Sequence, residues 1–164
     1  MGLLSWLIAV PFLTMVAVLF VPDRHWRAIR WISLAGTGLG LVLTAIVTWR
    51  YWVESQADLE GLRTATLTKL YMVERFTWFE PLGIQYYLGI DGISVSMVIL
   101  TALIIFCGVL ASWNVETRTK EFFALLLLLV AGVFGVFLTY DLFLFFMFYE
   151  LAVLPMYLLI GIWG

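Results

Sequence analysis

Asp141-Leu-Phe-Leu-Phe-Phe-Met-Phe-Tyr-Glu150, continued by Leu151-Ala-Val-Leu-Pro155-Met-Tyr-Leu-Leu-Ile-Gly-Ile-Trp-Gly164, decides how this chain is read. From Leu142 onward it is long enough to cross a bilayer as one helix, and Glu150 is its one charged residue. At 1.5 Å per residue Glu150 lies ~12 Å in from Leu142, near the middle of a ~30 Å hydrocarbon slab. A carboxylate at that depth costs at least ~2.5 kcal/mol, so it needs a partner, a water-filled cavity or a bound proton. No lysine or arginine in the chain sits at a matching depth. Glu150 is therefore the first candidate for function.

The surrounding chain is of the same kind. Of 164 residues, 64% are hydrophobic and 12% charged, and the mean hydropathy is +1.06. A water-soluble domain of this size cannot hide so much apolar surface. The pattern predicts an all-α, polytopic membrane protein that forms a single transmembrane domain over residues 1–164. Five apolar segments have spanning length: Gly2–Val21, Trp31–Trp49, Gly92–Trp113, Phe122–Tyr140 and Leu142–Trp163. The first lacks a basic leader, with positive charge following it, and reads as a retained helix rather than a signal peptide. A net charge of −2 without a basic tract gives no footing for nucleic acid.

Charge in the connections predicts orientation. Asp23–Arg30 holds three arginines against one acid, and Arg118 and Lys120 mark the connection between the third and fourth helices. Arg50–Asp91, which includes Arg63, carries six acids to four bases. The positive-inside rule then places the first and third connections in the cytoplasm, with the N-terminus outside and Gly164 on the cytoplasmic side. Aromatics such as Trp52, Phe76, Trp78 and Tyr87 mark residues 50–91 as an extracytoplasmic segment lying against the interface.

Other features have quieter readings. Asp91 and Asp141 stand where N-caps of the third and fifth helices belong. Gly36-Thr-Gly-Leu-Gly40 lies inside an apolar span with no strand before it, so it is no phosphate loop. The Gly36/Gly40 spacing and the Gly132/Gly135 pair instead predict close helix approach. Cys107, the single cysteine, excludes an internal disulfide or a cysteine-rich metal site and reads as a packing residue. No metal cluster or cofactor-binding motif is expected. Pro155 removes a backbone donor and frees the Leu151 carbonyl, which predicts a helix kink beside Glu150.

Tyr87-Leu-Gly-Ile-Asp-Gly-Ile-Ser94, Glu121-Phe-Phe-Ala124, Gly135-Val-Phe-Leu138, Asp141–Glu150 and Pro155–Gly164 follow one another in an order that resembles the M subunits (mitochondrial chain four) of proton-pumping NADH:quinone oxidoreductase, respiratory complex I. The likeness is strong over Tyr87–Gly164 and rests on topology before it. It implies antiporter-like subunits of about fourteen helices in two inverted five-helix repeats. In that family the fifth-helix glutamate, here Glu150, pairs with a lysine on the seventh helix. A broken eighth helix and an ionisable residue on the twelfth continue the proton route. The present sequence stops after five helices, so the expectation is the N-terminal part of such a bundle.

The implied function is proton translocation as a membrane-arm subunit, with Glu150 the proton-transfer residue and the lysine supplied from outside this chain. The chain itself would carry no redox centre; flavin and iron–sulfur clusters would sit in partner subunits. Other membrane subunits, including neighbouring antiporter-like ones, and the lipid bilayer would surround it in a bacterial inner membrane. The alternatives are a subunit of a secondary cation/proton antiporter and an inactive structural fragment.

Overall fold

The computed structural model describes residues 2–57 and 70–164. Five helices, α1 (Leu3–Phe20), α2 (Trp26–Ala57), α3 (Gly92–Ala111), α4 (Thr119–Leu138) and α5 (Leu142–Trp163), form an up-and-down bundle. All five are long and apolar enough to cross a membrane, so the chain is an all-α polytopic membrane protein. Helix α2 is longer than its apolar pattern: Arg27 and Arg30 lie in its first turns and Arg50 and Glu54 near its end. These charges extend the helix into the interfacial layers, where their long stems can snorkel.

The connection over residues 50–91 contains regular secondary structure. Part of this stretch, including Arg63, lies outside the described residues. The rest completes α2 and then builds an antiparallel hairpin, β1 (Tyr71–Phe79) and β2 (Ile84–Ile90). Both strands are rich in aromatic and β-branched residues, which suit a pleated surface. A 3₁₀ turn over Glu80–Leu82 closes on Gly83, whose φ of 67° is left-handed and favours glycine. Register slips between Tyr71 and Glu74, where Met72 adopts φ 50°, in keeping with a bulge. Of the aromatic residues that pointed to the interface, Trp52 belongs to α2, whereas Phe76, Trp78 and Tyr87 are displayed on the sheet, and Phe76 and Trp78 remain exposed.

The hairpin ties helix ends together. The Glu74 carboxylate accepts from the backbone N–H groups of Gly2 at 2.9 Å and Leu4 at 2.8 Å, and from the Ser5 hydroxyl at 2.5 Å. It therefore caps α1 from seventy residues away in sequence, in place of the local cap that Gly2 cannot supply. The Tyr86 hydroxyl lies 3.0 Å from that of Ser5. Burial raises the Tyr86 phenol above its ordinary value; the Ser5 bond lowers it and the Glu74 charge raises it further.

Asp91 caps α3 by accepting from Ser94 N–H at 2.7 Å. Burial alone would raise this carboxyl, but bonds from Ser94, Tyr140 and Ile93 hold it below its ordinary value. Tyr140 is raised, chiefly by burial, with Ser94 opposing and its bond to Asp91 adding to the rise. Leu88 bridges Thr139, and Tyr140 N–H donates to the Tyr87 carbonyl at 2.9 Å. Asp141 caps α5 at Leu144 N–H, 3.1 Å, and also accepts from Gln85 N–H at 3.2 Å.

Among the described residues, the interior has two apolar cores. Leu4, Leu7, Leu88, Ile90, Phe134 and Leu138 belong to the one that reaches the hairpin. Val18, Ile29, Val109, Phe123 and Leu127 fill the one toward the opposite end. Two buried hydroxyls of α2 turn back on their own helix: Ser33 donates to the Ile29 carbonyl and Thr37 to that of Ser33, each at 2.9 Å. That satisfies them without a partner helix.

Candidate functional site on α5

Helix α5 begins at the Asp141 cap and runs unbroken through Pro155 to Trp163. Its buried stripe is Leu144, Phe148 and Pro155, which meets α4. Two glycines of α4 allow the approach. A Cβ on Gly132 would stand 2.7 Å from the Ala152 backbone nitrogen, and one on Gly135 would run into the Phe148 ring. Gly36 serves α1 and α2 in the same way, meeting Thr14, whereas a Cβ on Gly40 would meet nothing within 4 Å. Of the Gly36/Gly40 pair, only Gly36 is therefore where a methyl group would collide; Gly40 is buried beside a small internal space.

Glu150 is on the other side. It is exposed, and Phe146, Met147, Val153 and Leu154 around it are exposed as well. Five residues separate Glu150 from Pro155, which at 3.6 residues per turn puts them roughly 140° apart around the helix. The structure therefore does not gather them into one site: Pro155 faces α4 and Glu150 faces away from the bundle. Among the described residues, no hydrogen bond or ion pair reaches the Glu150 carboxylate. Cys107 is also exposed, on α3, so it is a surface residue of the bundle rather than part of its packing.

The imbalance extends to the whole helix. Half of the α4 span is buried within the chain, 50%, against 17% of α5. An apolar face can be left to lipid at no cost, but a carboxylate on it cannot. The surface around Glu150 is consequently the part of the molecule whose chemistry is incomplete within these residues.

Residues 34–139 match the family described as NADH-ubiquinone oxidoreductase chain 4, amino terminus. The chain belongs to that family. Relatives called NAD(P)H-quinone oxidoreductase chain 4 are 36% identical in Synechococcus elongatus and 37% in a Picosynechococcus species, each over 98% of this chain. The same alignments cover 28% and 29% of those relatives, so the chain spans less than a third of their length. The fold is also that of a chain in the structure of respiratory complex I from Thermus thermophilus with bound NADH, with a TM-score of 0.74 and 22% identity. That match covers 98% of this chain and 29% of the other. The family match stops at 139, before α5 begins; the alignments to the longer relatives carry the likeness across Glu150.

The reach of Glu74 to α1 is not visible in the sequence. The Ser5 hydroxyl near the start of a helix is a weak sign of a cap, but nothing local names a carboxylate so far along the chain.

Proposed function

We propose that this chain belongs to the membrane arm of a proton-pumping NADH:quinone oxidoreductase and contributes Glu150 as a proton-exchanging carboxylate. The observation that carries the reading is the position of that residue. It stands mid-span on an exposed apolar stripe, with no ion pair or hydrogen bond among the described residues. A helix from outside these 164 residues, bringing a lysine to the carboxylate, removes the cost of the uncovered charge. The pair then has two states: with the cation close the carboxylate is ionised, and with the cation withdrawn it takes up a proton. Motion of charge elsewhere in the assembly can drive the exchange between them.

Redox chemistry is assigned to partner subunits. An iron–sulfur cluster takes several cysteine thiolates, and this chain has one cysteine, exposed on α3. The other occupants of its surface are neighbouring antiporter-like subunits and lipid in a bacterial inner membrane. The hairpin end faces outward and the Arg30–Lys120 end faces the cytoplasm, on the strength of the charge balance of the connections.

The test is Glu150→Gln in the full-length subunit within the assembled complex. Sealed vesicles should still oxidise NADH with an artificial acceptor but should lose coupled proton uptake. Pumping at the unmodified rate sinks the proposal. Labelling of single cysteines placed at Arg27 and Arg118 should be blocked to an impermeant outside reagent, and the reverse pattern overturns the orientation.

A further inference from the structure

Helix α5 is held at three levels. At its outer start, Asp141 accepts from Leu144 N–H at 3.1 Å and from Gln85 N–H of the hairpin at 3.2 Å. Next to it, Tyr140 N–H donates to the Tyr87 carbonyl at 2.9 Å. The last helical residue, Trp163, donates its indole N–H to the Thr117 carbonyl at 2.9 Å and sets its ring edge-on to Phe122, with centres 5.4 Å apart. The connection that carries this acceptor is itself fixed. Arg30, only 6% exposed, ties it to α2 through the Val115 carbonyl at 3.0 Å.

Between these ends, α4 and α5 interlock. Phe148 sits where Gly135 has no side chain, and Ala152 sits where Gly132 has none. Each pair of positions is about one turn apart on its own helix. Turning α5, or sliding it along α4, therefore drives the Phe148 ring or the Ala152 backbone into the α4 main chain. Packed seams of this kind shift between discrete arrangements rather than yield by degrees. Pro155 leaves one main-chain bond of α5 unmade, the usual origin of a hinge. Here that point is splinted: Pro155 is buried in the stripe that meets α4, and no break interrupts Leu142–Trp163. The face that carries Glu150 is the open one.

We propose that Glu150 is the stationary member of its ion pair: α5 keeps its place on α4 during turnover, and the group that approaches the carboxylate is the one that moves. Coulomb attraction falls with separation, so displacement of one partner is enough to switch the pair. The inference rests on Glu150 exchanging protons, as proposed above, and adds which side moves. Asp141, Gly132 and Trp163 become positioning residues, acting on the carboxylate by holding its helix.

The test uses the full-length subunit in the assembled complex. A Cβ on Gly132 lies 3.0 Å from that of Ala152, slightly inside the ~3.5–4.5 Å that a disulfide spans. Gly132→Cys with Ala152→Cys should therefore lock α5 to α4 on oxidation. Comparing the oxidised and reduced forms of this one variant cancels the effect of the added side chains. NADH-driven proton uptake should be the same in both; uptake lost on oxidation and regained on reduction overturns the proposal. The unmodified complex gives a second reading that needs no substitution. Hydrogen exchange over residues 142–163 should be equal at rest and during turnover, and faster exchange in turnover also overturns it. Trp163→Phe keeps a ring against Phe122 but removes the donor. It should speed exchange at residues 158–163 about tenfold, the scale of one hydrogen bond, and lower the protons taken up per NADH oxidised. An unchanged ratio of protons to NADH overturns the positioning role of Trp163. A Glu150→Gln variant that pumps normally sinks the carboxylate reading alone, and the exchange comparison then still decides whether α5 moves.

Discussion

The hairpin end and the outer face of α5 are two ways of dealing with carboxylates in a membrane protein. At the hairpin end, Glu74, Asp91 and Asp141 each accept backbone N–H groups at a helix start, so every one of these charges has a structural use. On α5, Glu150 stands mid-span with exposed apolar neighbours and, among the described residues, no such bond. A structural acid is recognised by what it already holds. A candidate functional acid is recognised here by what the surrounding chain fails to give it.

Exchanging the two kinds of acid for their amides should separate them most clearly. Glu150→Gln should cut NADH-driven proton uptake by roughly 10- to 100-fold, at or below the usual weight of a positioned proton-transfer group. The bundle itself should still form, because the side chain anchors nothing among the described residues; any loss of thermal stability would come from the partnering lysine left without its counter-ion. Glu150→Asp should retain part of the pumping, since it keeps the charge at shorter reach. A Gln variant that pumps normally but melts early would place Glu150 with the structural acids.

The next effect concerns the α4–α5 contact that sets which face of α5 is left open. Gly132→Ala would push a methyl group against the Ala152 backbone, and overpacking of this kind costs about 1–3 kcal/mol. The readout is the thermal midpoint of the purified complex, with Gly40→Ala as the control that should leave it unchanged. Equal shifts for both variants would mean that the close approach at Gly132 is not what orients α5.

Much of this was legible in the sequence, and the exceptions have physical reasons. Five helices follow from five apolar segments of spanning length, because the bilayer imposes one length on all of them. Asp91 and Asp141 were readable as caps because a cap bonds within its own first turn. The hairpin was missed because its aromatic residues satisfy an interfacial segment and a strand equally well, and composition cannot choose between them. Glu74 was missed because its partners are long-range. Pro155 and Glu150 are neighbours along the chain yet lie on different faces, and spacing should have warned of that, since five residues are not a helical repeat. The depth of Glu150 came from counting residues; its outward orientation required the position of α4.

Removing the hairpin's hold on α1 tests the structural half of the comparison. Glu74→Gln keeps an acceptor but loses the charge that meets the N–H groups of Gly2, Leu4 and Ser5. Hydrogen bonds to a charged group are worth about 1.5–3 kcal/mol, and the amide should keep part of that. The expected result is faster hydrogen exchange at residues 3–6, with proton pumping preserved. Loss of pumping with unchanged exchange would show that the hairpin end also belongs to the proton route.

The smallest effect is the pH response of that same end, and its sign differs on the two sides of neutrality. The Asp91 carboxyl is held below its ordinary value of 3.8. Its contribution is therefore fully present above about pH 3.8 and disappears as pH falls through the lower folded value, where the α3 cap is protonated. Tyr86 and Tyr140 are raised above 10.0. In the unfolded chain they lose their protons first, so the folded state is favoured below pH 10.0 and loses that advantage as pH rises beyond it. Hydrogen exchange at the starts of α1 and α3 should thus stay flat across neutral pH once corrected for intrinsic rates, and loosen below about 3.8 and above about 10. Glu74→Gln should weaken the alkaline limb, because the charge that helps raise Tyr86 is gone, and should leave the acid limb at Asp91 in place. An acid limb that vanishes in the Glu74 variant would mean that the two caps act as one unit.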